Sequence, residues 1–451
     1  MKMEEAIKSR RLIVRSFALV IIVGAVLLTL PIASRSHSFT DFVDALFTST
    51  SAVCVTGLVV KDTWDYFNFF GQFIIMLLIQ FGGLSYLTIT TFTLLLLTGA
   101  RIGLRTRLTL ASQFNVSSMQ GIVKLLGFTV RFSFALEALG ALLLSFKFVP
   151  YYLTQRGLAG GIWASIFDSV SAFNNAGFDV HGGFRSLSQF VQSPIVNLTI
   201  MGLIIAGGLG FVVWSEIFQR IRERKFVFSL HTRIVLTVTA VLIISGAALI
   251  AIFEWNNPKT LGALPLSGKI WAALFQSVTP RTAGFATINH GYATMPTLLV
   301  TMLLMFIGGS PGGTAGGIKT TTFFSVFQYI KAVLTGSNRV HVAHRTIKWS
   351  ILDTANAILI LNITIAVISI FLMSIFEPQL PLQRIAFEVF SALGTVGLTT
   401  GITPTLTVGS KIVLILTMFI GRVGVFTILT GYIFKPELPS YTYPEEDIIV
   451  G

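Results

Sequence analysis

The segment FVDALFTSTSAVCVTGL (42–58) recurs in altered form three more times along the chain: IWASIFDSVSAFNNAGF (162–178), IWAALFQSVTPRTAGF (270–285) and IAFEVFSALGTVGL (385–398). Each copy begins as an amphipathic helix carrying an aromatic, passes through Ser and Ala, and ends in a glycine followed by Leu or Phe. The closing glycines, Gly57, Gly177, Gly284 and Gly397, are 120, 107 and 113 residues apart, close to a quarter of the chain each time. Self-similarity of this kind is architectural. Each copy is too short to cross a bilayer alone and lies between two apolar runs. Those runs fall near 13–31, 69–99, 122–149, 195–218, 232–253, 297–334, 350–376 and 409–434, against the ~20 residues that a spanning helix takes. The chain therefore reads as an all-α polytopic membrane protein of eight transmembrane helices, with four helix–re-entrant segment–helix repeats in pseudo-fourfold arrangement around one central pore. The expected repeats are 1–100, 101–225, 226–340 and 341–435, followed by a cytoplasmic tail, 436–451.

Composition agrees. Of 451 residues, 53% are hydrophobic and 11% charged, where a soluble domain carries about 25% charged residues. The 39 phenylalanines exclude a disordered chain. Cys54, the single cysteine, cannot form a disulfide within one chain. The basic, apolar N-terminus superficially fits a signal peptide, but its run is long enough to span and further spans follow, so an uncleaved first helix is expected. The net charge of +13 reflects topology. With two spans per repeat, both termini and the inter-repeat loops share one side, which holds 20 basic against 9 acidic residues. The other side holds 10 against 9, and Lys319, Arg422 and Glu137 lie within spans. That bias places the termini and basic loops in the cytoplasm and gives no reason to expect nucleic acid as a partner.

Non-helical chain at membrane depth is tolerated only inside protein or lining a watery cavity. Four such segments around an axis can ring it with carbonyl oxygens that replace a cation's hydration shell. Glycine brings no side chain into the lumen and opens backbone geometry closed to other residues. The short helix before it directs its negative end toward the axis. One such turn alone would be a helix cap or packing site; four at near-equal spacing point to a cation pore.

The segments TSTSAVCVTGL, SAFNNAGF, VTPRTAGF and SALGTVGLTTGITP resemble the four pore loops of the KtrB/TrkH/HKT superfamily of potassium transporters. The likeness covers the whole chain, whose length is closer to KtrB-type membrane subunits of Ktr potassium uptake systems than to TrkH. It implies potassium uptake, a homodimer with one pore per subunit in a bacterial plasma membrane, and a cytoplasmic nucleotide-binding regulatory ring of RCK (KTN) type. Gly57, where some plant relatives carry serine and favour sodium, supports a preference for potassium. The expected filter strands are Val55-Thr56-Gly57, Asn175-Ala176-Gly177, Thr282-Ala283-Gly284 and Thr395-Val396-Gly397. No cofactor is expected in the chain; potassium is the permeant ion, and whether sodium activates is left open.

The sixth span is interrupted by GGSPGGTAGGIKTTT (308–322). Interior glycines cost about 1 kcal/mol each and proline about 3, so no helix runs undisturbed through Gly308, Gly309, Gly312, Gly313, Gly316 and Gly317. The expectation is an intramembrane gate loop under the filter, as the third repeat of the family supplies, rather than a rigid kink. A phosphate-binding loop is rejected, since Lys319 does not directly follow the glycine and no strand precedes it. Arg422, in FIGRVGVFT within the last span, should face a cavity or partner; below the filter it could repel cations or tether the glycine-rich loop by its carbonyls. Lys319 either joins this gate or snorkels to the cytoplasm. Asn174 and Asn175 are read as braces of the second loop, Arg281 as a pin beside Thr282, and Glu137 as a partner for another repeat. His181, His290, His341 and His344 show no metal-ligand spacing, and nothing resembles a catalytic constellation, so an enzyme is not expected. The competing reading, an alternating-access secondary transporter of a cation or small solute, predicts inverted repeats with odd spans; these repeats have two spans each and one orientation.

Overall fold

The computed structural model describes residues 2–84, 121–224, 227–337 and 339–432, with isolated positions elsewhere. Part of the run expected at 69–99, the loop through Arg101, Arg105 and Arg107, and most of the tail 436–451 lie outside the described residues. Repeat 1 contains α1 (Lys2–Thr29), the short α2 (Phe42–Val53), a single turn α3 (Thr63–Tyr66) and α4 (Phe69–Leu84). Repeat 2 opens with α5 (Ile122–Phe173), a helical run turned at Gly157, whose φ of 70° ends the first membrane helix and starts the pore-directed one. Then come α6 (Pro194–Gly208) and α7 (Phe211–Glu223). Repeat 3 holds α8 (Leu230–Glu254), α9 (Leu266–Val278), α10 (Met295–Phe306) and α11 (Thr320–Leu334); repeat 4 holds α12 (Trp349–Phe376), α13 (Leu382–Gly394), α14 (Val408–Val423) and α15 (Val425–Tyr432). Among the described residues, the sole strands are a hairpin between repeats 3 and 4, Val340–Val342 with Arg345–Ile347.

Helix association in lipid depends on close packing rather than apolar burial, and small residues supply it here. In repeats 1 to 3 the first membrane helix carries a glycine, Gly24, Gly140 or Gly246, against which the pore-directed helix sets a serine; a Cβ there would collide with Ser49, Ser169 or Ser277 Oγ. The closeness lets each hydroxyl donate to a carbonyl of that helix: Ser49 to Ile21 O at 2.7 Å, Ser169 to Glu137 O at 2.6 Å and Ser277 to Ile243 O at 2.7 Å. The second helix of each repeat leans on the next repeat's pore-directed element: α4 on α5, α6 on α9, α10 on α13 and α14 on α2. The last contact closes the ring. Outward faces stay apolar, as a bilayer requires, with Ile360, Val367 and Phe371 of α12 exposed.

Two runs read as single spans are bent. The 195–218 run breaks at Gly210, where α6 and α7 meet at 99°, and the 409–434 run breaks at Gly424, where α14 and α15 meet at 86°. Both glycines have positive φ, 94° and 88°. At Gly210 a Cβ would strike Pro311 O, so the turn also makes room for the glycine-rich loop. Arg422 thus ends α14 at the bend instead of lying deep within one continuous span.

Candidate ion pathway

All four re-entrant segments end with the same backbone device. The residue two before each glycine is left-handed, with φ of 57° at Val55, 59° at Asn175, 75° at Thr282 and 50° at Thr395; the glycines follow at 91°, 69°, 80° and 95°. The residue between is not left-handed. Non-glycine residues seldom adopt this geometry, so four instances in register mark a held conformation. Each strand hangs from the last turn of its helix: Thr56 N donates to Ser51 O, Ala176 N to Ser171 O and Val396 N to Ser391 O, each at 2.8 Å, and Ala283 N to Thr279 O at 2.9 Å. In repeats 1 and 4 a serine hydroxyl also accepts from the glycine amide, Gly57 N to Ser51 Oγ and Gly397 N to Ser391 Oγ, both at 3.0 Å.

The four glycines converge in cyclic order. A Cβ on Gly57 would come within 3 Å of Ala176 O, on Gly177 of Ala283 O, on Gly284 of Val396 O, and on Gly397 of Thr56 O. Each glycine therefore faces the carbonyl preceding the next repeat's glycine, and the fourth returns to the first. Only glycine fits, because the obstacle is backbone oxygen that cannot turn aside. The four helix C-termini point into the same region, adding the negative end of each dipole. On one side opens a cavity of about 400 Å³ lined by all four glycines, with Asp62, Asp179 and Arg185 also on its wall.

Next to this ring of glycines lies the glycine-rich loop. Its ends pair as a short parallel bridge, with Gly308 N donating to Ile318 O at 2.9 Å. It is stitched to the α6–α7 turn by Ser310 N to Gly208 O at 2.8 Å, Thr314 N to Gly207 O at 3.1 Å and Phe211 N to Gly312 O at 3.0 Å. Several glycines are demanded by contact: a Cβ at Gly308 would meet Gly316 O, at Gly309 the Ala315 methyl, at Gly313 the Gly207 carbonyl, and at Gly316 the Thr395 hydroxyl of the fourth re-entrant segment. Gly312 and Gly317 have positive φ, 71° and 64°. Asn175 reaches down to the Thr314 hydroxyl at 2.7 Å. Arg422 donates to Thr314 O, Gly82 O and Gly83 O, spanning repeats 4, 3 and 1. Lys319 does not snorkel: its ammonium folds back to Ala315 O at 2.7 Å and Gly316 O at 3.4 Å. Arg422 and Lys319 border a second cavity of about 390 Å³.

The remaining sequence candidates brace this pathway. Asn174 Nδ2 donates to Gln80 Oε1 at 2.9 Å and Glu137 Oε1 at 3.0 Å, while Gln80 Nε2 donates to both Glu137 oxygens; this joins repeats 1 and 2. Arg281 points away from the ring of glycines, reaching Thr239 Oγ1 on α8 at 3.3 Å. His181, which spacing left unassigned, is buried between Asp168 Oδ2 and the Tyr152 hydroxyl, each at 2.7 Å. Burial opposes its charge, yet Asp168 and Asp179 outweigh that and hold its pKa above the ordinary histidine value. Sequence reading missed Thr314, Ser51 and Ser391. The serines had a signal, since they stand at matching places, six residues before the glycine in repeats 1 and 4; Thr314 had none.

The family of TrkH cation transport proteins matches residues 1–442. Among relatives, Ktr system potassium uptake protein B of Bacillus subtilis is 42% identical, covering 96% of this chain and 95% of its own. Potassium/sodium uptake protein NtpJ of Enterococcus hirae is 41% identical, covering 98% and 97%. Among solved structures, the potassium transporter TrkH from Vibrio parahaemolyticus superposes with a TM-score of 0.70 at 18% identity, over 93% of this chain and 83% of that one, a likeness of fold. With a family match over residues 1–442 and 42% identity to a relative across 96% of its length, this chain belongs to the TrkH family of cation transport proteins.

Proposed function

We propose that the chain takes up potassium across a bacterial plasma membrane through a filter of Val55-Thr56-Gly57, Asn175-Ala176-Gly177, Thr282-Ala283-Gly284 and Thr395-Val396-Gly397. The observation that carries this reading is the closed ring in which each glycine abuts the carbonyl preceding the next repeat's glycine. A dehydrated cation on that axis exchanges water for carbonyl oxygen. Below it, the 308–317 loop is the gate, held shut by Arg422 and by Lys319 folded onto the loop's own carbonyls. Opening moves the loop aside, and potassium then runs down its electrochemical gradient. The repeats divide at about 100, 225 and 340, and both termini lie in the cytoplasm, as the basic loops favour.

A regulatory subunit belongs to the same reading, since the Bacillus subtilis relative is named as one protein of a Ktr system. A homodimer, a nucleotide-binding ring acting on the basic loops or the tail, and sodium as activator are its further parts; a relative named for potassium and sodium makes the last worth testing. The test is rubidium-tracer uptake into potassium-loaded liposomes containing the purified chain, with external potassium, sodium or lithium as competitor. Flux blocked by potassium and hardly by sodium is the expected result. Equal block by all three would refute the selectivity, and absence of flux even after deletion of 309–317 would refute the pore.

A further inference from the structure

Each pore-directed helix carries a fully buried phenylalanine nine or ten residues before its closing glycine: Phe47, Phe167, Phe275 or Phe387. The residue after it is polar in every repeat: Thr48, Asp168, Gln276 and Glu388. All four are buried, with relative exposures of 0–1%. Polar groups so placed need partners, and in three repeats the partner lies in the chain just outward of the filter glycine. Asp168 Oδ2 binds His181 Nε2 at 2.7 Å, four residues past Gly177. Gln276 Nε2 donates to Thr287 Oγ1 at 3.0 Å, three past Gly284. Glu388 accepts from Thr399 Oγ1 at 2.6 Å, Thr400 N at 3.0 Å and Thr403 Oγ1 at 2.9 Å, starting two past Gly397. Thr48 is the exception, its hydroxyl donating to Asp44 O within its own helix. Among the described residues no lysine or arginine pairs with Glu388, and the hydrogen bonds it accepts come from hydroxyl and amide donors of the outer segment.

These ties are geometrically specific. The filter strand hangs from the last turn of its helix at the inner end; the tie runs from that helix to the chain beyond the glycine, closing the loop at the outer end. Between the two anchors lie the carbonyl that precedes the glycine and the glycine itself. We propose that Glu388, with Asp168 and Gln276 at the equivalent positions, is a positioning residue for the filter: it fixes the outer end of its strand and so the carbonyl spacing on which discrimination between potassium and sodium depends. The inference rests on the filter assignment proposed above. Carbonyl rings select by the size and field of the cavity they form, so a strand free at one end can close on the smaller ion, and a strand tied at both ends resists.

The test is calorimetric titration of the purified full-length chain with potassium and, separately, with sodium, which reads the filter without needing an open gate. Glu388→Ala is expected to lower the ratio of the sodium to the potassium dissociation constant at least tenfold. Glu388→Gln, which keeps an acceptor for Thr400 N, should keep most of the ratio. Thr399→Val with Thr403→Val removes donors from the other end and serves if Glu388→Ala does not fold. An unchanged ratio in variants that still bind potassium overturns the proposal. Equal loss in the Ala and Gln variants also overturns it, because charge and not the tie would then matter. Wild-type protein that binds neither ion would instead overturn the filter assignment itself.

Discussion

Replacing Arg422 with methionine should unlock the pore. The guanidinium bridges three carbonyls, but only Thr314 O belongs to the glycine-rich loop proposed as the gate; Gly82 O and Gly83 O close α4 of repeat 1. Loss of the Thr314 contact therefore weakens the closed arrangement selectively, while methionine preserves the length and apolar packing of the side chain. A hydrogen bond from a charged donor contributes about 1.5–3 kcal/mol. Since about 1.4 kcal/mol is a factor of ten in an equilibrium constant, the closed-to-open ratio should fall by roughly ten- to a hundredfold. Rubidium uptake per reconstituted protein should rise by up to that factor wherever the gate limits it. Arg422→Lys keeps the charge but loses the fork that reaches two sides at once, and its rate should fall between the two. A methionine variant of unaltered thermal stability whose uptake is no faster than wild type would refute the tether.

Other residues give sharper or narrower expectations. Gly177→Ser forces a Cβ against Ala283 O at a φ of 69°; potassium should lose its advantage over sodium as a competitor of rubidium uptake, with the protein still folded. Glu137→Ala strands the Gln80 amide nitrogen, which donates to both carboxylate oxygens, while Asn174 keeps Gln80 Oε1 and Val170 O. Leaving buried donors unsatisfied costs about 1–3 kcal/mol, and the melting temperature in detergent should drop accordingly. At His181 the folded pKa is raised above 6.5, so its charged pairing stabilises fully below that value and is lost as pH rises through the folded one. The groups facing it are Asp168, Asp179, Tyr152 and Arg156. The stability gap between wild type and His181→Gln should therefore narrow as pH is taken from 6.5 into the alkaline range; a gap that widens would refute the pairing.

Much of this architecture was legible because it is repeated. Any one of Gly57, Gly177, Gly284 and Gly397 is an ordinary glycine, but their common spacing between apolar runs fixes where the chain must turn back. The glycine-rich interruption was equally plain, since no helix tolerates six glycines and a proline in ten residues. What stayed hidden depends on contacts across the fold. Val55, Asn175, Thr282 and Thr395 share a left-handed backbone although two are threonine and one is β-branched valine, residue types that give no hint of it. The bends at Gly210 and Gly424 were lost in apolar runs where a glycine is also consistent with close helix packing. His181 and Glu388 find their partners only after the chain has turned at the filter, so composition and local spacing could not join them.

The stitching of the glycine-rich loop to the α6–α7 turn has a mechanical consequence. Three backbone hydrogen bonds clamp 310–314 to 207–211, so displacement of one strains the other. From that clamp α7 extends for 13 residues at a right angle to α6, a rod of about 20 Å at 1.5 Å per residue. It ends among Arg220, Arg222 and Arg224. Tilting this rod by about 10° about Gly210 carries its tip roughly 3 Å, and the same torque arrives at the clamp reduced in travel and increased in force. The lever belongs to repeat 2 while the glycine-rich loop it bears on belongs to repeat 3, so a push on the end of α7 is delivered to that loop through the clamp.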